Sequence, residues 1–212
     1  MSPEVFIVGI AIIVLSIIFH EVAHGYVANW LGDPTARLQG RLTLNPLPHI
    51  DPVGSLLLPG ILALSGSSFL IGYAKPVPYN PDNLRHGKWG EALVAFAGPG
   101  TNLLIAGVLA LVVRLFETSL TPLFLNVAVL AIIGNLGLAI INLIPIPPID
   151  GSKILRAFLP YRAALAYDRL EQFTYALGPF GIIGVLILLV YVFSESVGSF
   201  VFFLFRLLTG LS

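Results

Sequence analysis

"IIFHEVAHGYV", residues 17–27, decides how this chain is to be read, because three ionisable side chains stand there inside an apolar run. His20, Glu21 and His24 follow fifteen residues, Val5 to Phe19, that carry no charge. An ionisable group at the centre of a membrane helix costs about 2.5–3.5 kcal/mol even on the lenient insertion scale, so the cluster needs a compensating interaction. Positions i and i+4 of a helix lie one above the other on one face. Two imidazoles so placed suit two corners of a tetrahedral zinc site, and the Glu between them suits a general base on the water that such an ion activates. The competing reading is a polar cluster that packs helices together. A catalytic zinc site wants a third protein ligand and an open position. His49, His86 and a carboxylate elsewhere are the candidates.

The surrounding composition is that of a membrane protein. Of 212 residues, 57% are hydrophobic and 10% charged, and the mean hydropathy is +0.93; soluble domains carry about 25% charged residues. Zero net charge leaves no nucleic-acid footprint, and the absence of cysteine excludes disulfides and thiol chemistry. The opening "MSPE" lacks the basic region of a signal peptide and reads as a helix start, with Ser2 as N-cap, Pro3 in the first turn and Glu4 at the positive dipole end. The expected fold is an all-α polytopic membrane protein with five or six apolar segments, at about 4–31, 52–73, 91–116, 123–144, 177–193 and 197–211. One domain, 1–212, accounts for the chain, with a catalytic core at about 4–153 and C-terminal membrane segments at about 177–211.

The segments differ in quality. Residues 52–73 are interrupted by Pro59, Gly60 and the cluster Ser65-Gly66-Ser67-Ser68. Backbone broken in lipid leaves polar groups unsatisfied, so this segment is expected to be re-entrant or folded against protein. Residues 161–173 mix charged and apolar side chains and suit the membrane interface. "RLTLN", 41–45, alternates like a short strand, and "KPVPYNP", 75–81, is held extended by its prolines. An exposed edge strand there would pair with an unwound substrate; a simple loop is the alternative.

A third ligand is offered by "NLIPIPPIDG", 142–151. Pro145, Pro147 and Pro148 stop the preceding helix, and the stiffened segment can carry Asp150 back toward a neighbour. An Asp-Gly turn at the membrane surface is the equal alternative.

"HEVAH" in an apolar helix, followed far downstream by "NLIPIPPIDG", resembles the site-2 protease family of intramembrane zinc metalloproteases. "AGPGTN", 97–102, resembles that family's Gly-Pro-x-x-Asn element, and "GRLTLNPLPHIDPVG", 40–54, a further signature of its compact prokaryotic branch. The resemblance implies one Zn²⁺ held by His20, His24 and Asp150, with Glu21 as base and Asn142 as donor to the substrate carbonyl. It implies an orienting role for Asn102 and leaves His49 and Asn45 as supporting or substrate-binding residues. The implied partners are the lipid bilayer and a transmembrane protein or peptide substrate, and the implied location is a prokaryotic cell membrane.

Depth gives an independent constraint. His20 lies about 22 Å into a hydrocarbon layer of about 30 Å, and Asp150 lies beyond the end of segment 123–144. For one metal to bind both, the two helices must run parallel, which requires an odd number of crossings between them. Two apolar segments intervene, so one must not cross, and 52–73 is the damaged one. The basic residues outside the last segment, which holds Arg206, agree: they divide seven against three if every segment crosses, and nine against one if 52–73 does not. The positive-inside rule then places the site nearer the cytoplasmic face. The rival function is a non-hydrolytic metal-binding adaptor or transporter.

Overall fold

Four helices are long and apolar enough to span a membrane. The structure is a computed structural model that describes residues 3–64 and 72–211. Helix α1 (Pro3–Trp30) carries the HEVAH motif and is followed by the short α2 (Thr35–Leu38). A π-type turn (Pro52–Leu57) runs into α3 (Leu58–Leu64). Then come the long α4 (Lys88–Phe116) and α5 (Pro122–Asn142), the short α6 (Asp150–Phe158), α7 (Tyr161–Ala176) and the long α8 (Pro179–Thr209).

Three of these helices form the packed body. Gly9 faces Leu130, Ile13 faces Gly134, and Ser16 bonds Asn135. Residue numbers rise together along this seam, so α1 and α5 are parallel. Against α4 the order reverses: His24 meets Val94, while His20 meets Asn102. Helix α4 therefore runs back between two parallel neighbours. An apolar cluster that includes Ala106, Val113, Ala128, Ile132 and Leu136 fills the α4–α5 interface at the end remote from the HEVAH motif, and Val201 and Phe205 of α8 close over it.

The six expected segments reduce to four. Segments 177–193 and 197–211 are one helix, α8, because Ser194-Glu195-Ser196 offers no proline and leaves every backbone N–H able to continue the ladder. Of segment 52–73, thirteen residues are helical. At 1.5 Å per residue that is about 20 Å, short of a bilayer of about 30 Å. The cluster at 65–68, like Ser2, lies outside the described residues. From residue 73 the chain is back beside the start of the segment: Tyr73 N–H donates to Gly54 O (3.1 Å) and Lys75 N–H to His49 O (2.9 Å). Residues 41–45 are irregular, and no strand forms among the described residues. Alternation over so few residues makes a strand only where a second segment pairs with it, and none does.

The loops on this face are tied together by Asp33, which is fully buried. Its carboxylate accepts from Thr35 Oγ1 (2.6 Å), Asn80 N (2.8 Å) and Asn83 Nδ2 (2.9 Å). Burial opposes its charge, but these hydrogen bonds, led by Asn83, outweigh it and hold its carboxyl below the ordinary value. The result clamps residues 80–83 to the end of α1, which sets the position of the extended segment just before them.

Candidate metal centre and active site

His20 and His24 occupy the face of α1 that meets α4. His20 Nδ1–H donates to Asn102 Oδ1 (2.6 Å), and His24 Nδ1–H donates to Val94 O (2.7 Å). Pro99 has no N–H and so removes the ladder bond to Ala95, the residue after Val94. Asn102 is in turn held by a buried chain. Its Nδ2 donates to Asn135 Oδ1 (2.8 Å), and Asn135 Nδ2 donates to Ser16 Oγ (2.9 Å) and Ala131 O (2.9 Å). With both Nδ1 atoms committed, the Nε2 lone pairs are the ones that point outward. A metal-binding histidine is held in the same way, its other ring nitrogen donating to an oxygen behind it.

Those Nε2 atoms converge on Asp150. The backbone turns after Asn142, passes the prolines and starts α6 with Asp150 in its first turn. Asp150 Oδ2 stands 3.2 Å from His20 Nε2 and 3.3 Å from His24 Nε2. Burial disfavours the charged carboxyl, yet His24 and His20 together hold it below the usual range. The donor set fits a zinc ion on two counts. Ligands at about 2.0 Å in tetrahedral array lie about 3.3 Å from one another, close to the two spacings observed. And Gly98 of α4 backs the cradle so closely that a Cβ there would stand 2.5 Å from both Nε2 atoms. Three potential ligand atoms lie within 4.8 Å of one another here and nowhere else among the described residues.

Glu21 lies beside this cluster rather than in it. Its Oε2 accepts from Val77 N–H (2.9 Å). That contact depends on Gly25 one turn further on, where a Cβ would meet Leu42 Cδ2 at 2.5 Å and Val77 Cγ1 at 2.8 Å. Asn142 ends α5 and uses one amide hydrogen on Leu138 O (2.8 Å). His20, Glu21 and Asn142 border two cavities. One, of about 550 Å³, opens between α1, α5 and α8 and is lined mainly by Ile, Leu, Val and Phe. The other, of about 210 Å³, shares those three residues and adds His24, Asp150, Lys153, Tyr79 and Tyr175.

The remaining expected residues are elsewhere. His49 is buried and its Nε2–H donates to Thr43 O (2.9 Å), while Asn45 is exposed and accepts from Leu47 N (3.1 Å). Neither lines the two cavities. His86 sits in an exposed turn with φ 70°. Sequence reasoning missed Lys153 and Arg156, and gave Gly98 no role beyond its place in "AGPGTN". Arg156 of α6 joins three helices, pairing with Glu91 of α4 (2.8 Å) and Asp168 of α7 (2.5 Å), and α7 lends Tyr175 to the smaller cavity. The lone signal for Lys153 was its place one helical turn after Asp150.

Known proteins resemble this chain along much of its length. The profile of peptidase family M50 matches residues 116–190. A Bacillus subtilis protein named "Putative zinc metalloprotease YwhC" is 37% identical over 159 residues, 70% of this chain and 67% of the relative. Proteins named "Putative zinc metalloprotease Rip2" are 34% identical over 157 residues in Mycolicibacterium smegmatis and 33% over 171 residues in Mycobacterium tuberculosis. The matches cover 73% and 80% of this chain but 58% and 64% of those two relatives, less than two thirds of their length. No solved structure matches significantly.

Proposed function

This chain belongs to peptidase family M50, the site-2 protease family, and from that premise we propose that it is an intramembrane zinc endopeptidase that cleaves transmembrane segments of membrane-bound substrates. The observation that carries the reading is the meeting of His20, His24 and Asp150 inside the helical bundle, with Glu21 beside them between an apolar and a polar cavity. Zinc bound there would polarise the scissile carbonyl and lower the pKa of the attacking water.

The protein's own groups do the rest. The Val77 amide fixes one oxygen of Glu21, which leaves the other to take the proton from the attacking water and pass it to the leaving amine. Asn142 has a second amide hydrogen without a partner among the described residues, available to the carbonyl oxygen as negative charge builds on it. The extended segment around Ala74 lines both cavities. Ala74 makes no backbone hydrogen bond among the described residues, so its amide and carbonyl are left for an unwound peptide. The larger cavity suits that peptide's apolar side chains, and the smaller one suits the attacking water and the polar end of the peptide.

Orientation is set by the helix ends. With 52–73 re-entrant, nine basic residues (Arg37, Arg41, Lys75, Arg85, Lys88, Lys153, Arg156, Arg162 and Arg169) share the face near the site, against Arg114 and Arg206 on the other. The positive-inside rule makes that face cytoplasmic, in a prokaryotic cell membrane. A transporter would need a polar path to the far side. Beyond His20 the polar residues Asn102, Asn135 and Ser16 saturate one another, and the apolar cluster seals the remaining depth of the bundle.

The test is zinc per chain in purified protein, together with cleavage of a transmembrane peptide. The reading requires about one zinc in the unaltered protein, much less in Asp150→Ala, and cleavage that Glu21→Gln abolishes. Zinc unchanged in Asp150→Ala, or no cleavage by zinc-loaded protein across a panel of membrane peptides, would overturn it.

A further inference from the structure

A positive charge stands in the polar cavity beside the metal ligands, and no hydrolytic step assigned to Glu21 or Asn142 uses it. Lys153 stands one turn of α6 beyond Asp150, so the two share a helix face, and it lines the same cavity of about 210 Å³ as His20, Glu21 and His24. Its Nζ lies 5.3 Å from the centre of the Tyr79 ring. No carboxylate comes within 4.0 Å of it among the described residues. Of the nearby carboxylates, Glu91 and Asp168 are spent on Arg156 and Asp150 on the histidines, while Glu171 acts on Lys153 only from beyond 4.0 Å. Burial works to lower its pKa, but the surrounding Tyr79, Tyr175, Asp150 and Glu171 prevail and keep it an ammonium.

An ammonium in a confined cavity is expensive without a paired anion. If its task were to neutralise Asp150, the helical turn between them would allow a direct pair, and none forms. It is instead turned toward space that must admit a peptide. Hydrolysis in that space converts a neutral amide into a carboxylate and an amine, so a carboxylate is the anion the reaction itself supplies. An acidic side chain on the polar side of the scissile bond carries the same group. We propose that Lys153 is the carboxylate-receiving residue of this site, a specificity-determining group that engages an acidic substrate side chain or the product's new carboxylate. The inference rests on the proteolytic reading, and it names what the polar cavity selects.

Two measurements on the zinc-loaded full chain test it and separate the sources. In the first, the KM of a cleaved transmembrane peptide is compared with that of the same peptide carrying Glu on the polar side of the bond. In the second, binding of a product-length peptide ending in a free carboxylate is compared with its C-terminal amide by fluorescence anisotropy, using Glu21→Gln so that no turnover is needed. At least one comparison is expected to favour the acid by roughly tenfold. Lys153→Met should collapse that preference to near one, and Lys153→Arg should restore most of it, with zinc per chain unchanged in both. A preference confined to the first comparison assigns the substrate side chain; one confined to the second assigns the product. No acid preference in either, or a preference that survives Lys153→Met, overturns the proposal. So does a loss of zinc in Lys153→Met matching that in Asp150→Ala, since that is the signature of support for the ligand. Absence of cleavage with the anisotropy preference intact would count against the proteolytic reading alone.

Discussion

Helix α8 is as long and as apolar as α1, α4 and α5, yet it is packed differently. About a third of the most apolar stretch of each of the other three is buried (33%), against 11% for α8. Apolar sequence in a membrane protein therefore does not imply a packed core, because lipid solvates such a surface as well as protein does. The candidate metal ligands and their supports sit on the packed side, in α1, α4 and the chain just beyond α5. Helix α8 instead contributes Leu186, Val190, Phe193 and Val197 to the wall of the larger cavity. Precision is placed on one side of the site and space on the other.

Substitutions can break or sharpen that contrast. The largest effect is expected at the site itself: Glu21→Gln should lower peptide cleavage by about 10²–10⁴-fold, the usual contribution of a general base, while zinc per chain stays near one. Next is a matched pair of glycines. Gly98→Ala drives a methyl group against both histidines and should strip the zinc, whereas Gly198→Ala on α8, where a Cβ meets nothing within 4 Å, should leave zinc content as it was. Equal zinc in the two proteins would erase the distinction between the sides.

Asn102→Ala removes the partner of His20 Nδ1 and should weaken zinc binding by about 10–100-fold, as loss of such support does elsewhere; competition with a chelator measures it. Smallest is a pair of core truncations. Ile132→Ala, in the α4–α5 interface, should cost about 2–4 kcal/mol, and Leu186→Ala on the cavity wall less than about 1 kcal/mol. Thermal unfolding in one detergent compares them, and similar shifts would show that α8 is as tightly held as the rest.

The contrast also explains which parts of the molecule were legible in its sequence. His20, Glu21, His24 and Asp150 stood out because ionisable residues beside long apolar runs are costly, and because i, i+4 spacing fixes a helix face. The parallel course of α1 and α5 came from asking both ends of one site to share a depth. Gly98 could not be found that way, since its meaning lies in two imidazoles that arrive from another helix. Asn135 is an amide inside an apolar span and so needs a partner, but nothing in the sequence marks it as the link between Asn102 and Ser16. The division of α8 at Ser194-Glu195-Ser196 failed for a different reason: polarity was read as a break, although only backbone chemistry breaks a helix. The strand at 41–45 failed because alternation describes one strand and a sheet needs two.

The proposed third ligand also has a consequence for how the protein is made. Asp150 is separated from His20 by 130 positions, and α4 and α5 lie between them. At a synthesis rate of about 5–20 residues per second, some 7–26 s pass between the emergence of the first ligand and the last. Throughout that interval α1 must reside in the bilayer with its histidines and Glu21 uncompensated, or wait at the insertion machinery until α4 supplies Asn102 and the Val94 carbonyl. Zinc is then the natural last arrival, and a cell short of zinc would accumulate an assembled but immature bundle.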